Sequence, residues 1–200
     1  ALAEGNASSL LHVTRAEIDF PPGTDPHSDA VYRHAAENLR RLEREGALVR
    51  EQGPCLYLYR LTMGPHQQTG LAGLCHIEDY ASDVIRKHEK TRRDKEDDRT
   101  RTAHELNAHV EPVFLAYRDD PTIDRLTQWA QEAAPLFDLV APDGVRHTLW
   151  RVAGADTFVA AFAKVPVAYV ADGHHRSASA ARGGQERRAA NPRHTGNEPY

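Results

Sequence analysis

The chain has 200 residues, of which 40% are hydrophobic, and a formal net charge of −4. This length allows one sizeable core, or two small cores in contact. The negative charge argues against a protein that coats nucleic acid, and without an apolar run of about 18 residues we predict no membrane span. Two cysteines do not make a disulfide framework, so we expect a reduced, cytoplasmic protein.

Residue 1 is Ala and the single Met is Met63, so we expect a fragment of a longer chain. Within it we predict one domain over residues 1–200, in which residues 191–200, rich in turn formers, are a linker to a further part. In the N-terminal half, residues 10–15, 55–60 and 69–75 have the composition of strands. The last two would form a hairpin that places Cys55 opposite Cys75, and we expect both thiols to be buried.

Helical spacing of apolar residues predicts a helix over residues 29–45, ended by Gly46. A long polar helix is predicted from residue 81 to about 108. The elements predicted further along the chain are a strand (113–117), a helix (122–132), a hairpin (136–140 and 147–152, around Asp143-Gly144), a helix (157–164), a strand (167–171) and a helix (177–182). Strands and helices alternate along the chain, but hairpins interrupt them. This pattern predicts an α/β or α+β fold, with a mixed sheet flanked by helices and the last strand at its centre.

An Asp-Gly-His-His-Arg string, residues 172–176, joins the last predicted strand to the last predicted helix. A helix start presents unpaired N–H groups and a partial positive charge, so it is suited to an anion. Gly173 allows close approach of the backbone to a ligand, Arg176 offers a planar fork to phosphate oxygens, and Ser177 adds a hydroxyl. The junction is therefore predicted to bind phosphate.

The same string also carries groups that can move protons. His174 and His175 can donate hydrogen bonds or exchange protons near neutral pH. Asp172 could ligate Mg²⁺ or accept a proton from an attacking hydroxyl. The alternative is structural, since Asp-Gly is a common turn and Asp172 could simply cap the helix. No CxxC or HxxxH pattern accompanies the two histidines, so a structural zinc site is not favoured and we assign no residue to a metal site.

A charged run over residues 88–99 is the second candidate feature. On one continuous helix, four basic side chains would share a face and two glutamates would form an adjoining stripe. Such a ridge could clamp phosphates, or it could be a solvated helix surface held by i,i+4 ion pairs. The basic set is His88, Arg92, Lys95 and Arg99, and the glutamates are Glu89 and Glu96.

Several long strings, in order along nearly the whole chain, resemble the domain-of-unknown-function family numbered 1015, which is described as ParB-like. The strings are residues 11–19, 56–60, 88–91, 95–99, 112–115, 171–180 and 194–200.

The junction also resembles the phosphate motif of the ParB/sulfiredoxin fold, and most closely that of free-serine kinases, which carry an Asp-Gly-His-His-Arg string. This resemblance implies that Asp172 and His174 lie at the reacting phosphoryl group. It also implies that Gly173, His175 and Arg176 hold the phosphates of ATP or ADP, with Mg²⁺ as a further cofactor.

The sequence therefore favours a nucleotide-dependent phosphotransferase that acts on a small hydroxyl compound such as free serine. The alternative is a ParB-like nucleotide-binding switch or a non-catalytic nucleotide-binding module. A kinase would need both a nucleotide and an acceptor, whereas a switch would bind nucleotide without turning over an acceptor. We expect a nucleotide and a small molecule as partners, and neither a membrane nor a nucleic acid.

Overall fold

The computed structural model describes residues 3–195, which divide into two compact units. The first unit comprises residues 3–50, 77–116 and 169–195 of this range, and the second comprises residues 51–76 and 117–168. Residues 196–200 of the predicted linker lie outside the described part. Within residues 3–195, no helix combines the length and apolar character that crossing a membrane requires.

The helices and strands are numbered here in chain order. They are α1 (Leu11–Thr14), α2 (Asp29–Arg44), β1 (Tyr57–Met63), β2 (His66–Ala72), α3 (Ile77–Ala81), β3 (Ile85–Arg86), α4 (Arg93–Leu106), β4 (Phe114–Tyr117), α5 (Pro121–Ala130), β5 (Phe137–Val140), β6 (Arg146–Arg151), α6 (Ala155–Phe162), β7 (Ala168–Asp172) and α7 (His174–Ala190). The expected α/β class, with sheet flanked by helices, is confirmed, and the strands form two separate sheets.

The core of the first unit forms where α1 and α2 pack together. The strand predicted over residues 10–15 is wrong, because α1 is a helical turn in which the Thr14 N–H donates to the Leu10 carbonyl at 3.0 Å. Val13 lies in this turn, whereas Ala16 begins a separate 3-10 turn (Ala16–Asp19) after Arg15 departs from helical geometry. Both are buried in the cluster that contains Leu42 of α2. Two short consecutive helical turns, rather than a strand, therefore place this pair in the core.

The predicted helix over residues 29–45 is confirmed as α2, with Ser28 at the N-cap position. The long helix predicted over residues 81–108 is wrong. Helix α3 ends at Ala81, Asp83 adopts a positive φ of 60°, and α4 begins only at Arg93. Between them Ile85 is buried in the short strand β3, so an apolar side chain in a sheet interrupts the polar sequence.

Strand β7 is the middle strand of a three-stranded sheet, in the order β3-β7-β4. The central place predicted for the last strand is confirmed, and Val170 in its middle is fully buried. Helix α7 follows directly and packs against α4. The Arg182 guanidinium lies 2.5 Å from the Asp97 carboxylate, and the His104 ring lies 2.8 Å from the Glu186 carboxylate. These pairs hold the two helices side by side.

The second unit is a four-stranded antiparallel sheet in the order β2-β1-β6-β5. Both predicted hairpins are confirmed, and β1 turns into β2 at the pair Met63 and His66. Its core contains Leu58, Trp150 and Phe158, of which Phe158 has no exposed surface.

The two cysteines flank this hairpin, and the predictions that they lie opposite each other and that both thiols are buried are wrong. Cys55 is half-buried and Cys75 is exposed. The β1–β2 ladder ends at the pair Tyr57 and Ala72, so it stops before it reaches either cysteine. Without the ladder, nothing in the hairpin brings the two thiols into the core.

Candidate functional site

The Asp-Gly-His-His-Arg string lies where β7 turns into α7. Gly173 is the N-cap of α7 and has a φ of +93°, in the left-handed region that favours glycine. The helix begins at His174 and continues to Ala190, so the shorter prediction over residues 177–182 is corrected at both ends. The two histidines and Arg176 therefore form the first turn of a 17-residue helix.

Helix geometry leaves the backbone N–H groups of this first turn without partners inside the helix. The first intrahelical bond runs from the Ser177 N–H to the Gly173 carbonyl, at 2.8 Å. The N–H groups of residues 174–176 precede it and point toward the helix start. The N-cap is Gly173, which has no side chain, and the hydrogen bond that the Asp172 carboxylate accepts from a described residue comes from the Arg176 guanidinium, so Asp172 does not cap these groups. The alternative in which Asp172 caps the helix is therefore wrong.

Arg176 folds back across the turn that precedes it. Its guanidinium lies 2.5 Å from the Asp172 carboxylate and donates to the Pro112 carbonyl just before β4. A Cβ at Gly173 would lie 3.0 Å from the Arg176 Nε and 3.1 Å from a methyl carbon of Val113. Glycine is thus required both by the dihedral angle and by the space that Arg176 occupies.

The two histidines of the string have different surroundings. His174 is buried, and its Nε2 has no hydrogen-bond partner among the described residues. His175 accepts a hydrogen bond at its Nε2 from the backbone N–H of Arg92, at 3.1 Å. Ser177 is also buried, and its hydroxyl has no partner within the described part of the chain.

The charged run does not form the predicted single face, because α4 begins only at Arg93. His88 and Glu89 precede the helix, and Arg92 is its N-cap. Lys95, Glu96 and Arg99 lie within α4. Glu96 accepts a hydrogen bond from the Thr91 hydroxyl and does not line the cleft described next. The stripe of Glu89 and Glu96 predicted beside the basic face is therefore wrong.

A cleft of about 380 Å³ nevertheless brings most of the two candidate sets together. Four permanently charged cations and two carboxylates line it, so its balance of charge is positive although the chain is acidic. Its lining residues are Glu89, Arg92, Lys95, Arg99, Ala171, Asp172, Gly173, His174, His175 and Arg176.

The cationic side chains that line the cleft differ in whether they already form an ion pair with a carboxylate. Arg92 lies 2.7 Å from Asp94, and its hydrogen bond lowers the pKa of that carboxyl group. Arg99 lies 3.0 Å from Glu111. Lys95 forms no ion pair with any described residue, so its charge is the one most readily available to an anion in the cleft.

The sequence did not predict several contributors to this site. The Pro112 carbonyl orients Arg176, and Glu111 pairs with Arg99, yet both precede β4 and are distant from the string along the chain. His88 was a candidate of the charged run, but its contact was not predicted: it packs edge-to-face on His174, with ring centroids 4.4 Å apart. No spacing rule relates these positions, because the sheet and the α4–α7 contact bring them together.

A family model described as "Protein of unknown function (DUF1015)" matches residues 1–200. No curated protein and no solved structure matches the chain. Because the family model matches the whole chain, the protein belongs to the DUF1015 family.

Proposed function

We propose that the cleft binds the phosphates of a nucleotide and transfers a phosphoryl group to a small hydroxyl compound, with free serine as the first acceptor to test. The observation that carries this proposal is the convergence of two helix starts on one cleft. Arg92, the N-cap of α4, and Gly173, the N-cap of α7, both line it. Each helix start presents a partial positive charge, so together they favour a multiply charged anion.

The side chains around the two helix starts suit a chain of phosphates. Arg176 offers a planar fork, and Lys95 offers a mobile point charge that forms no ion pair with a described carboxylate. A cleft of about 380 Å³ falls within the range of small-molecule sites. We assign Gly173, His175 and Arg176 to the phosphates, and Lys95 with Arg99 to the opposite side of the ligand.

For the transfer itself, the acceptor oxygen attacks the terminal phosphorus, and the bond from that phosphorus to the nucleotide oxygen breaks. The acceptor proton passes to the Asp172 carboxylate, whose side chain is 70% exposed at the edge of the cleft. The resemblance of the string assigns His174 to the same reacting group. Phosphoryl transfer depends mainly on positioning and charge neutralisation, which these groups supply.

Mg²⁺ fits this proposal, since it binds through one or two carboxylates together with substrate phosphates, and Asp172 offers an oxygen ligand. When bound, it would neutralise the charge that develops on the phosphate oxygens. The ParB/sulfiredoxin resemblance of the string agrees with a nucleotide site and belongs to the proposal. Fold-level analogy alone does not establish a function, so the test must be biochemical.

The test is a calorimetric titration of the protein with ADP, ATP and CTP in the presence of Mg²⁺. We expect one nucleotide to bind, and Lys95→Gln to weaken it about tenfold. Arg93→Gln is the matched control. It removes one positive charge from the same helix, but Arg93 does not line the cleft. Equal loss in both variants, or no binding of any nucleotide, would contradict the proposal.

Turnover then separates the kinase from a nucleotide-binding switch. A kinase converts the bound nucleotide only when an acceptor is added, and the product carries the transferred phosphoryl group. Binding without acceptor-dependent conversion, across a panel of small hydroxyl compounds beginning with serine, would overturn the transferase part of the proposal and favour the switch.

A further inference from the structure

Beside the proposed phosphate cleft lies a cluster of nitrogen and oxygen ligands, none of which we assign to the phosphates. His88, Glu89 and His174 each offer one ligand atom, and these atoms all lie within 4.8 Å of one another. We propose that these three side chains bind a divalent transition metal ion of the zinc class. The site differs from the Mg²⁺ considered above, which would be held by Asp172 and by the phosphates.

The donor set itself selects the class of metal. Two imidazoles with one carboxylate suit Zn²⁺ and its neighbours, whereas Mg²⁺ prefers oxygen ligands and retains several waters. Three protein ligands leave at least one coordination position open, as in catalytic rather than structural zinc sites.

The distances within the cluster are compatible with a shared ion. A Glu89 oxygen lies 3.4 Å from the Nδ1 of His174, and the other lies 3.9 Å from the Nε2 of His88. Two ligands of a tetrahedral zinc ion lie roughly 3.4 Å apart, given bonds of about 2.1 Å. Glu89 and His88 precede α4 and are mostly exposed, so they are free to close the remaining gap.

His174 provides an independent reason to expect a ligand here. Its side chain is only 6% exposed, and its Nε2 has no partner among the described residues. Its Nδ1 faces Glu89 at a separation longer than an ordinary charge-assisted hydrogen bond. A buried imidazole with neither nitrogen well paired is unusual, because buried polar groups nearly always have partners. A metal ion shared with Glu89 would satisfy Nδ1, the nitrogen that faces this carboxylate.

The position of the cluster suggests how the metal would contribute. Glu89 and His174 also line the cleft that contains the four cations. An ion held there would present its open coordination position to the cleft, where an anionic oxygen or a water molecule could occupy it. The metal site itself rests on the three ligands and does not depend on the proposed nucleotide.

The experiment is a titration of chelator-treated, untagged protein with Zn²⁺ alone, followed by Co²⁺ with its visible absorption as the reporter. We expect one equivalent of metal and a cobalt spectrum typical of nitrogen and oxygen ligands. His88→Ala and Glu89→Gln should each weaken Zn²⁺ binding by about tenfold or more, since even indirect partners of metal ligands contribute about that much. Both side chains are mostly exposed, so neither variant should disturb folding.

Two control variants address other metal ligands. His66→Ala removes an exposed histidine of β2, and Cys75→Ser removes the exposed thiol. Both should bind Zn²⁺ as the unmodified protein does. The proposal is overturned if His88→Ala and Glu89→Gln bind Zn²⁺ with unchanged affinity, if the metal does not bind, or if the cobalt spectrum shows thiolate ligation that Cys75→Ser removes. Because no nucleotide is present, failure of nucleotide binding would leave these results unaffected.

Discussion

The backbone N–H of Arg92 donates to the Nε2 of His175 at 3.1 Å, and so joins the start of α4 to the start of α7. Arg92 is the N-cap of α4, and His175 is the second residue of α7. The bond spans 83 positions of sequence. It fixes the distance between the two positive helix ends that line the cleft, and makes His175 a positioning residue as well as a candidate phosphate ligand.

Loss of this bond should be measurable at a single amide. In His175→Ala the Arg92 N–H has no side-chain acceptor, so its hydrogen exchange should become faster by about tenfold, the effect of removing one net hydrogen bond. Amide exchange resolved by NMR or mass spectrometry provides the measurement. His66→Ala in β2 is the control and should leave the Arg92 amide unchanged. Unchanged exchange in His175→Ala would show that the bond is not formed in solution.

Two glycine substitutions should change stability in opposite directions. Gly173→Ala places a Cβ 3.0 Å from Arg176 Nε in a left-handed conformation, and should destabilise the protein by about 1–3 kcal/mol. Gly183→Ala lies inside α7 with its nearest neighbour at 3.8 Å, and should stabilise by about 0.5–1 kcal/mol through helix propensity. Urea unfolding measures both changes, and a neutral Gly173→Ala would contradict the tight turn described here.

Arg176→Lys should separate the charge of Arg176 from its shape. Lysine keeps the positive charge but cannot bridge Asp172 and the Pro112 carbonyl as the planar guanidinium does. We expect Arg176→Lys to weaken nucleotide binding about tenfold and Arg176→Ala about a hundredfold, as measured by calorimetry. If the lysine variant binds nucleotide with the affinity of the unmodified protein, the planar guanidinium of Arg176 is not required for phosphate binding.

The pair of His104 and Glu186 makes the α4–α7 contact dependent on pH. Hydrogen bonds from His104 and then Arg182 lower the pKa of Glu186 below its ordinary value of 4.5. A lowered pKa in the folded state means that the stabilisation is complete above this ordinary value and is lost as the pH falls through the folded pKa. Glu186→Gln should therefore destabilise the protein at neutral pH and cost progressively less in acid.

The matched control for this pH series is Glu132→Gln, an exposed glutamate that forms no ion pair with the described residues. Urea unfolding of both variants between neutral and acidic pH provides the comparison. A Glu186→Gln effect that stays constant across this range would show that the ionised carboxylate does not stabilise the contact.

Local sequence determined much of the second unit and part of the first. Asp143-Gly144 and Gly64-Pro65 are turn sequences with strands on either side, and both hairpins formed as predicted. Helix α2 has its apolar residues at helical spacing and Gly46 just after its end. In these elements, propensity, pattern and turn chemistry agree, so no distant contact was needed to predict them.

The sequence by itself identified the string of residues 172–176 and the basic residues Arg92, Lys95 and Arg99 as candidates. Only the tertiary structure decided that they share one cleft, because the three-stranded sheet and the α4–α7 contact join segments about 80 residues apart. Burial of Ile85 in β3 broke the long polar helix that local spacing predicted, since one apolar side chain in a sheet outweighs weak helix propensity. Because the helix begins only after this break, His88 and Glu89 lie outside it, close to His174. Residue types and spacing thus determined which groups could act, and packing decided which of them meet.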